Sequence, residues 1–152
     1  MKLLEIILDN VSRENLELNG LTQVLVVRNK EALHPHIEIV DKIQGVIKLV
    51  FPSIKLYLYM SQQQCEISYC KFINADNCHW AVKDGNIKDN INSLNGTYVN
   101  GVQLKHYEIR KLIDGDIIKF ANQVYPEIRF INTDKDLDNK DFSILDHENE
   151  ET

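Results

Sequence analysis

The chain has no run of about 18 consecutive apolar residues, so a membrane-spanning helix is excluded, and the stretch Leu3 to Leu8 is too short and lacks the basic start of a signal peptide. The expected protein is soluble and uncleaved. It has few cysteines, Cys65, Cys70 and Cys78, an odd number in a chain too large to need stapling, which fits a reducing compartment and not secretion. Arginine is scarce, four against thirteen lysines, while isoleucine and asparagine are abundant. That composition suits AT-rich coding DNA, and points to the cytoplasm of certain bacteria or, for an organelle gene, the plastid stroma. No phosphate-cradling glycine loop, H-E-x-x-H or G-x-S-x-G occurs, so the common nucleotide, metalloprotease and hydrolase signatures are missing. An enzyme is not expected, and neither a cofactor nor a small-molecule substrate.

The net charge of −6 is unevenly placed. Residues 132–152 hold eight carboxylates against two lysines, and residues 1–131 are balanced, fifteen against fifteen. A clustered basic surface for nucleic acid is therefore not visible. Three zones follow: an amino-terminal extension over 1–33, a body over 34–131, and an acidic, flexible tail over 132–152. In the tail Phe142, Ile144 and Leu145 form the single apolar cluster, suited to folding back on the body or to docking in a partner.

The body reads as all-β. His36–Val40, Val46–Phe51, Lys55–Met60, Cys78–Lys83, Thr97–Val99, Asp116–Phe120 and Glu127–Ile131 are short runs rich in branched or aromatic residues, punctuated by turn residues. In Lys55–Met60 the period of two places Leu56, Leu58 and Met60 on one, inner face. Many short strands at this spacing imply a sandwich or barrel. The amino-terminal zone is less legible: apolar positions 3, 4, 7 and 8 suit a helix, the isoleucines suit a sheet, and Leu21–Asn29 reads as a strand. Either extra structure on the sandwich edge or a dedicated docking element would account for it.

Two Asn-Gly pairs, Asn95-Gly96 and Asn100-Gly101, bracket a very short strand, and Asp114-Gly115-Asp116 leads into another. The segment Ser93-Leu94-Asn95-Gly96-Thr97-Tyr98-Val99-Asn100-Gly101, followed by Leu112-Ile113-Asp114-Gly115-Asp116-Ile117-Ile118-Lys119-Phe120, resembles the forkhead-associated (FHA) signature. Order and spacing both agree, from about His34 to Ile131. The resemblance implies an eleven-stranded β-sandwich whose loops at one end read phosphothreonine peptides. In that family a Gly-Arg ends the third strand and its guanidinium grips phosphate, while in an S-x-x-H the Ser donates to phosphate and the His braces the loop.

On those landmarks the sequence departs from the family. No Gly-Arg occurs, and its expected place falls on Tyr59 and Met60; the S-x-x-H aligns with Asp76-Asn77-Cys78-His79, with Asp in place of Ser. Leu94 stands where a small hydroxyl residue is common, leaving Asn77 and Asn95 to meet a peptide, with Thr97 in the same loop. A dianionic phosphate requires charge-assisted donors, each worth about 1.5–3 kcal/mol, and Met60 offers none. The expected site is therefore a set of partner-binding loops at Tyr59, Met60, Asp76, Asn77, Leu94, Asn95 and Thr97. His79, Gly96, Asn100 and Gly101 serve as loop structure. The resulting expectation is a non-catalytic scaffold or linker, free-standing or within a large assembly, that binds protein without phosphate and neither enters a membrane nor binds a metal. The alternative is a phosphothreonine reader in kinase signalling, with lysines such as Lys71, Lys83 or Lys88 replacing the arginine.

Cys78 and His79 are sequence neighbours, but neighbours on a strand point to opposite faces and so do not form a nucleophile-base pair. A zinc site from Cys65, Cys70, Cys78 and His79 lacks the paired knuckle spacing. The turn aspartates Asp84, Asp89, Asp114 and Asp116 are explained by backbone needs, and Trp80 by packing.

Overall fold

A computed structural model of the chain describes residues 1–71, the last by its backbone alone, and 78–134. Those residues form twelve strands: β1 (Lys2–Ile7), β2 (Arg13–Glu17), β3 (Gln23–Asn29), β4 (His36–Asp41), β5 (Val46–Pro52), β6 (Gln63–Lys71), β7 (Cys78–Asp84), β8 (Thr97–Val99), β9 (Val102–Gln103), β10 (Ile109–Lys111), β11 (Ile117–Phe120) and β12 (Glu127–Asn132). Two six-stranded sheets result, ordered β2-β1-β12-β11-β8-β9 and β10-β7-β6-β3-β5-β4. The pairings are antiparallel except β3 with β5, which run parallel from Gln23↔Val46 to Asn29↔Pro52.

Alternation sets which side chains meet between the sheets. Leu4, Ile6, Ile118, Phe120, Ile128 and Phe130 from the first sheet close on Val24, Val26, Ile47, Leu49, Phe51, Ile67 and Val82 from the second, all buried in one core. Glu127, Arg129 and Ile131 alternate with Ile128 and Phe130 along β12 and stay half-exposed, as a strand buried on one face requires.

Residues 1–33 are not an extension on the sandwich edge. Strand β1 lies between β2 and β12, matched to β12 over six residues from Lys2↔Asn132 to Ile7↔Glu127, and β3 lies between β5 and β6. The helical look of positions 3, 4, 7 and 8 is accidental, since Leu4 and Ile6, two apart, are the deeply buried pair. The longest strand, β6, was not foreseen, because Gln63-Gln64-Cys65-Glu66 carries no apolar alternation. Gln64, Cys65 and Glu66 are all buried nonetheless, the two polar ones holding backbone groups of neighbouring loops.

Lys55–Met60 is not a strand either. Lys55–Tyr57 forms one 3-10 turn, with Tyr57 N donating to Ile54 O at 2.9 Å and Met60 N to Tyr57 O at 3.1 Å. Bonds of that span bring residues three apart onto one side, so Tyr57 and Met60 enter the core while Leu56 and Leu58 are 40% and 52% exposed. The tyrosine hydroxyl donates to Leu8 O at 2.7 Å and its ring packs edge-on to Phe51, centroids 5.0 Å apart.

Two measurements check this architecture. A chain starting at residue 34 removes β1, β2 and β3, leaving β12, β5 and β6 each without one of its two neighbours and splitting the second sheet between β5 and β6, and should show no cooperative thermal transition where the full chain does. A cooperative melt from the shortened chain would contradict the topology. Burial, with Asp9's charge adding to it, pushes the Tyr57 phenol up to about 12 from 10.0. Its neutral form thus favours the fold fully below about pH 10, and that contribution is lost as pH rises through about 12. Tyr57→Phe should be less stable than the parent at neutral pH and should lose less stability between those two pH values, as followed by denaturant titration.

Candidate functional site

Four stretches meet at one end of the sandwich: the end of β3, the β5–β6 connection 53–62, the β7–β8 connection 85–96, and the β11–β12 connection 121–126. Each is tied to another by a specific bond. Arg28 N donates to Gln62 O at 3.2 Å, Tyr59 N to Gln123 Oε1 at 3.0 Å, and Ala121 N to Gly96 O at 3.0 Å. Asn95 Nδ2 donates to Tyr59 O at 3.0 Å, and Leu94 N to Ser61 Oγ at 2.7 Å.

Beneath these loops lies a buried polar knot. Gln64 Oε1 accepts from Ser61 N at 2.8 Å, and its Nε2 donates to Gly96 O and to Thr97 Oγ1, each at 3.0 Å. Thr97 Oγ1 in turn donates to Asp84 Oδ1 at 2.7 Å. The same carboxylate accepts from the Ser93 hydroxyl and from Ser93 N, the latter at 3.0 Å, and Gly96 N donates to Ser93 Oγ at 3.0 Å. Gly96 has φ +91, a left-handed backbone conformation that side-chain-bearing residues adopt only with strain, so the turn over the knot favours glycine at this position.

The loops enclose an open hollow of about 380 Å³, lined by Arg28, Leu58, Met60, Ser61, Gln62, Gln63, Ile91, Leu94 and Asn95. Arg28 is the one charged residue among these, and no carboxylate lines the hollow. Its Nη1 donates to Leu58 O, which holds the guanidinium toward the 53–62 loop, while its Nε is buried without a partner among the described residues. Ser61 Oγ accepts the Leu94 amide, leaving its hydroxyl proton available to a ligand.

The residues expected from sequence fall into distinct places. Tyr59 and Asn95 are at the hollow, joined to each other, and Leu94 stands at its rim, 87% exposed. Met60 does not offer its side chain as a contact; it is 1% exposed and part of the core. Thr97, fully buried, is a member of the knot and not a partner-contacting residue. Asn100 pins the start of β11, with Nδ2 donating to Asp116 Oδ1 at 2.8 Å and Oδ1 accepting from Ile117 N at 2.9 Å, and Gly101 continues that turn at φ +82. His79 sits on β7 opposite Cys70 of β6. The knot residue Asp84 lies five positions further along β7, about 16 Å at strand rise, so His79 does not reach the knot, which Gln64 braces. Asp76 and Asn77, like Phe142, Ile144 and Leu145, lie outside the described residues.

Burial pushes the Cys65 thiol well up, with Asp84 and Glu66 adding to it, and pushes Cys70 up likewise, with Cys78 next in effect. Both are thereby held as neutral thiols, away from the thiolate form that nucleophilic chemistry uses. Among the described residues no group of three or more His, Cys, Asp or Glu is placed to hold a metal ion.

Arg28, Ser61 and Gln64 were missed by the sequence reading, and each had a signal. Counting strands from the amino terminus makes Leu21–Asn29 the third, and Arg28 stands at its end, where the family resemblance calls for the phosphate-gripping arginine. Ser61-Gln62-Gln63-Gln64 has the spacing of S-x-x-H with Gln replacing His, directly before the β6 residues Cys65-Glu66-Ile67. Glutamine can brace as histidine does, because its amide both donates and accepts.

A substitution separates the two placements of the arginine. Met60→Arg puts a cation into a fully packed core position and should destabilise the protein by about 3 kcal/mol or more without creating a phosphate site. A stable variant with new phosphate affinity would restore the alignment based on Tyr59 and Met60.

The FHA domain family model matches residues 47–121. The comparison with curated proteins gave no match. Among solved structures, the chain is similar to the MEK1 FHA domain, with 24% identity and TM-score 0.52 over 86% of this chain and 88% of that one. The yeast Pml1 splicing factor follows at 22% and 0.56, over 87% of this chain and 80% of that one. The S. pombe Nbs1 FHA/BRCT-repeat structure is similar at 15% and 0.55, over 88% of this chain and 36% of that one. At these identities the likeness concerns the fold. The family-model match over residues 47–121, which contains the Asn95-Gly96-Thr97 turn over the Gln64 knot, places in this chain an FHA domain, a protein–protein interaction module.

Proposed function

We propose that the hollow between Arg28, Ser61 and Asn95 binds a peptide segment of a protein partner through a phosphorylated threonine. The observation that carries this reading is Arg28. It ends the third strand, lines the same hollow as the Ser61 hydroxyl and the Asn95 amide, and has no carboxylate beside it there. A dianionic phosphate would draw the guanidinium away from the neutral Leu58 carbonyl, exchanging a bond to a neutral acceptor for bonds between opposite charges. Ser61 would supply its free proton, and Asn95 its unengaged Oδ1 to a backbone amide of the peptide.

The phosphate-independent scaffold reading keeps one observation in its favour. Leu94 is an exposed apolar side chain at the rim, and Tyr59 beside it is 56% exposed, a surface that meets a plain peptide as well as a phosphorylated one.

Titration of the full chain with paired peptides, identical but for the phosphate on a central threonine, decides between them. The proposal expects phosphate-dependent binding that falls about tenfold to a hundredfold in Arg28→Ala, the loss of one charge-assisted contact, with a smaller fall in Ser61→Ala. Equal affinity for both peptides, unaltered by Arg28→Ala, would overturn it in favour of the scaffold.

A further inference from the structure

The end of the sandwich opposite the loop hollow leaves part of the core uncovered. Strand β3 starts at that end with Gln23, and β6, antiparallel to it, finishes there with Lys71. Tyr69 of β6 and Trp80 of β7 are cross-strand partners two residues beyond Ile67 and Val82, so all four project to the core face. Ile67 and Val82 are fully buried, whereas Tyr69 is 44% exposed, with its ring centroid 5.6 Å from that of Trp80. The facing wall is the β2–β3 turn, in which Leu18 N donates to Lys2 O and Leu21 N to Leu18 O, each at 3.0 Å. Leu18 is buried in the core and Leu21 packs against it. Between these walls lies an open groove of about 500 Å³. Asp134, the last described residue, lines it, fixed by its amide to Asn132 Oδ1 at 2.9 Å and by its carboxylate to the Met1 amine at 3.4 Å. Among the lining residues Glu17 and Asp134 offset Lys2 and the Met1 amine, so the groove carries no net charge.

We propose that this groove is the docking site of the chain's own acidic tail, occupied by the side chains of Phe142, Ile144 and Leu145. The tail leaves the described structure at Asp134, on the rim of the groove, and Phe142 follows eight positions later. Eight residues extend to about 26 Å, which brings the cluster to any point of the groove from that rim. Tethering at the rim also gives the tail an effective concentration on the order of millimolar, which favours it over a separate chain. The groove offers the half-exposed Tyr69 ring as a continuation of the core, and the cluster is the tail's one apolar feature, so docking removes apolar surface from water on both sides. Because the groove is neutral, the contact depends on that burial and not on attraction of the tail carboxylates to a basic surface, and it persists at high salt. The tail is thereby held at the end of the sandwich away from Arg28, and the inference stands independently of what the hollow binds.

The test is limited chymotrypsin digestion of the full chain, with cleavage after Phe142 followed by mass and a peptide of residues 135–152 as the undocked reference. The expected result is cleavage about tenfold slower or more in the chain than in the peptide, at low and high salt alike and at any protein concentration, because the protease cuts the small undocked population. Ile144→Ser with Leu145→Ser, which alters no residue of the sandwich, should bring the rate at Phe142 to within about twofold of a peptide carrying the same changes. Tyr69→Ser, a change at a half-exposed residue of the groove, should release the tail to the same degree while the thermal transition of the sandwich stays cooperative. If Tyr69→Ser folds poorly, Leu21→Ser on the facing wall probes the same groove. Cleavage of the parent chain at the peptide rate overturns the proposal. Protection that survives the tail variant or the groove variants also overturns it, since the cluster then lies elsewhere. Protection that weakens on dilution makes the occupant a second copy, and protection lost at high salt makes the contact electrostatic; either result refutes the docking as stated.

Discussion

The side-chain amide of Gln64 holds the working end of this sandwich together. Gln64 belongs to β6 in one sheet, Thr97 to β8 in the other, and Asp84 to β7 back in the first, so the three side chains stitch the two sheets at the place where the core gives way to loops. Both ends of the amide are engaged, and the Asp84 carboxylate takes three donors. A fully satisfied buried network of this kind fixes one arrangement, whereas the loss of a single member leaves its partners unpaired at about 1–3 kcal/mol each. The geometry of Ser61, Leu94 and Asn95 is inherited from that knot: Ser61 is held through its own amide, and Asn95 precedes the Gly96 carbonyl that Gln64 grips.

This dependence explains which parts of the molecule were legible in the sequence. The Asn95-Gly96-Thr97 and Asp114-Gly115-Asp116 motifs announced themselves because positive φ and a carboxylate capping a turn restrict residue choice locally, and they sufficed for the fold family. Strands with apolar alternation, such as β5 and β12, were equally plain. What escaped was everything decided by tertiary partners. Gln64 and Glu66 look like surface residues until the loops that they hold are known, and Met60 looks like a strand residue until the 3-10 turn carries it inward. The amino-terminal zone failed for a related reason. A six-residue strand whose partner is at the far end of the described chain has no local signal to distinguish it from a helix start, and only the pairing of Lys2 with Asn132 settles its place.

Motifs alone put the Gly-Arg landmark at Tyr59 and Met60, because β1 and β2 carry no local signal that makes the strand ending in Arg28-Asn29 the third. Four arginines are present in the chain, of which Arg13, Arg110 and Arg129 each have a carboxylate within reach on their own sheet. Arg28 differs from them, since its guanidinium donates to a neutral carbonyl, Leu58 O. In a protein this poor in arginine, one guanidinium held at a loop hollow free of carboxylates is the side chain with the most to gain from an anion.

Charge placement supports the same conclusion at longer range. The surplus negative charge of the chain resides in residues 132–152, and the body is neutral, so a local field at the loops is not swamped by the sandwich beneath them. The hollow presents Arg28 as its charged lining residue, with no carboxylate lining it. On the proposed reading, a peptide with an anionic threonine would be attracted to Arg28 before contact and held on contact by the Ser61 hydroxyl and the guanidinium. For an uncharged peptide the same loops offer Tyr59, Leu94 and the Asn95 amide. On the proposed reading the difference between the two affinities would rest on Arg28 of β3, a part of the fold that lies outside the matched residues 47–121.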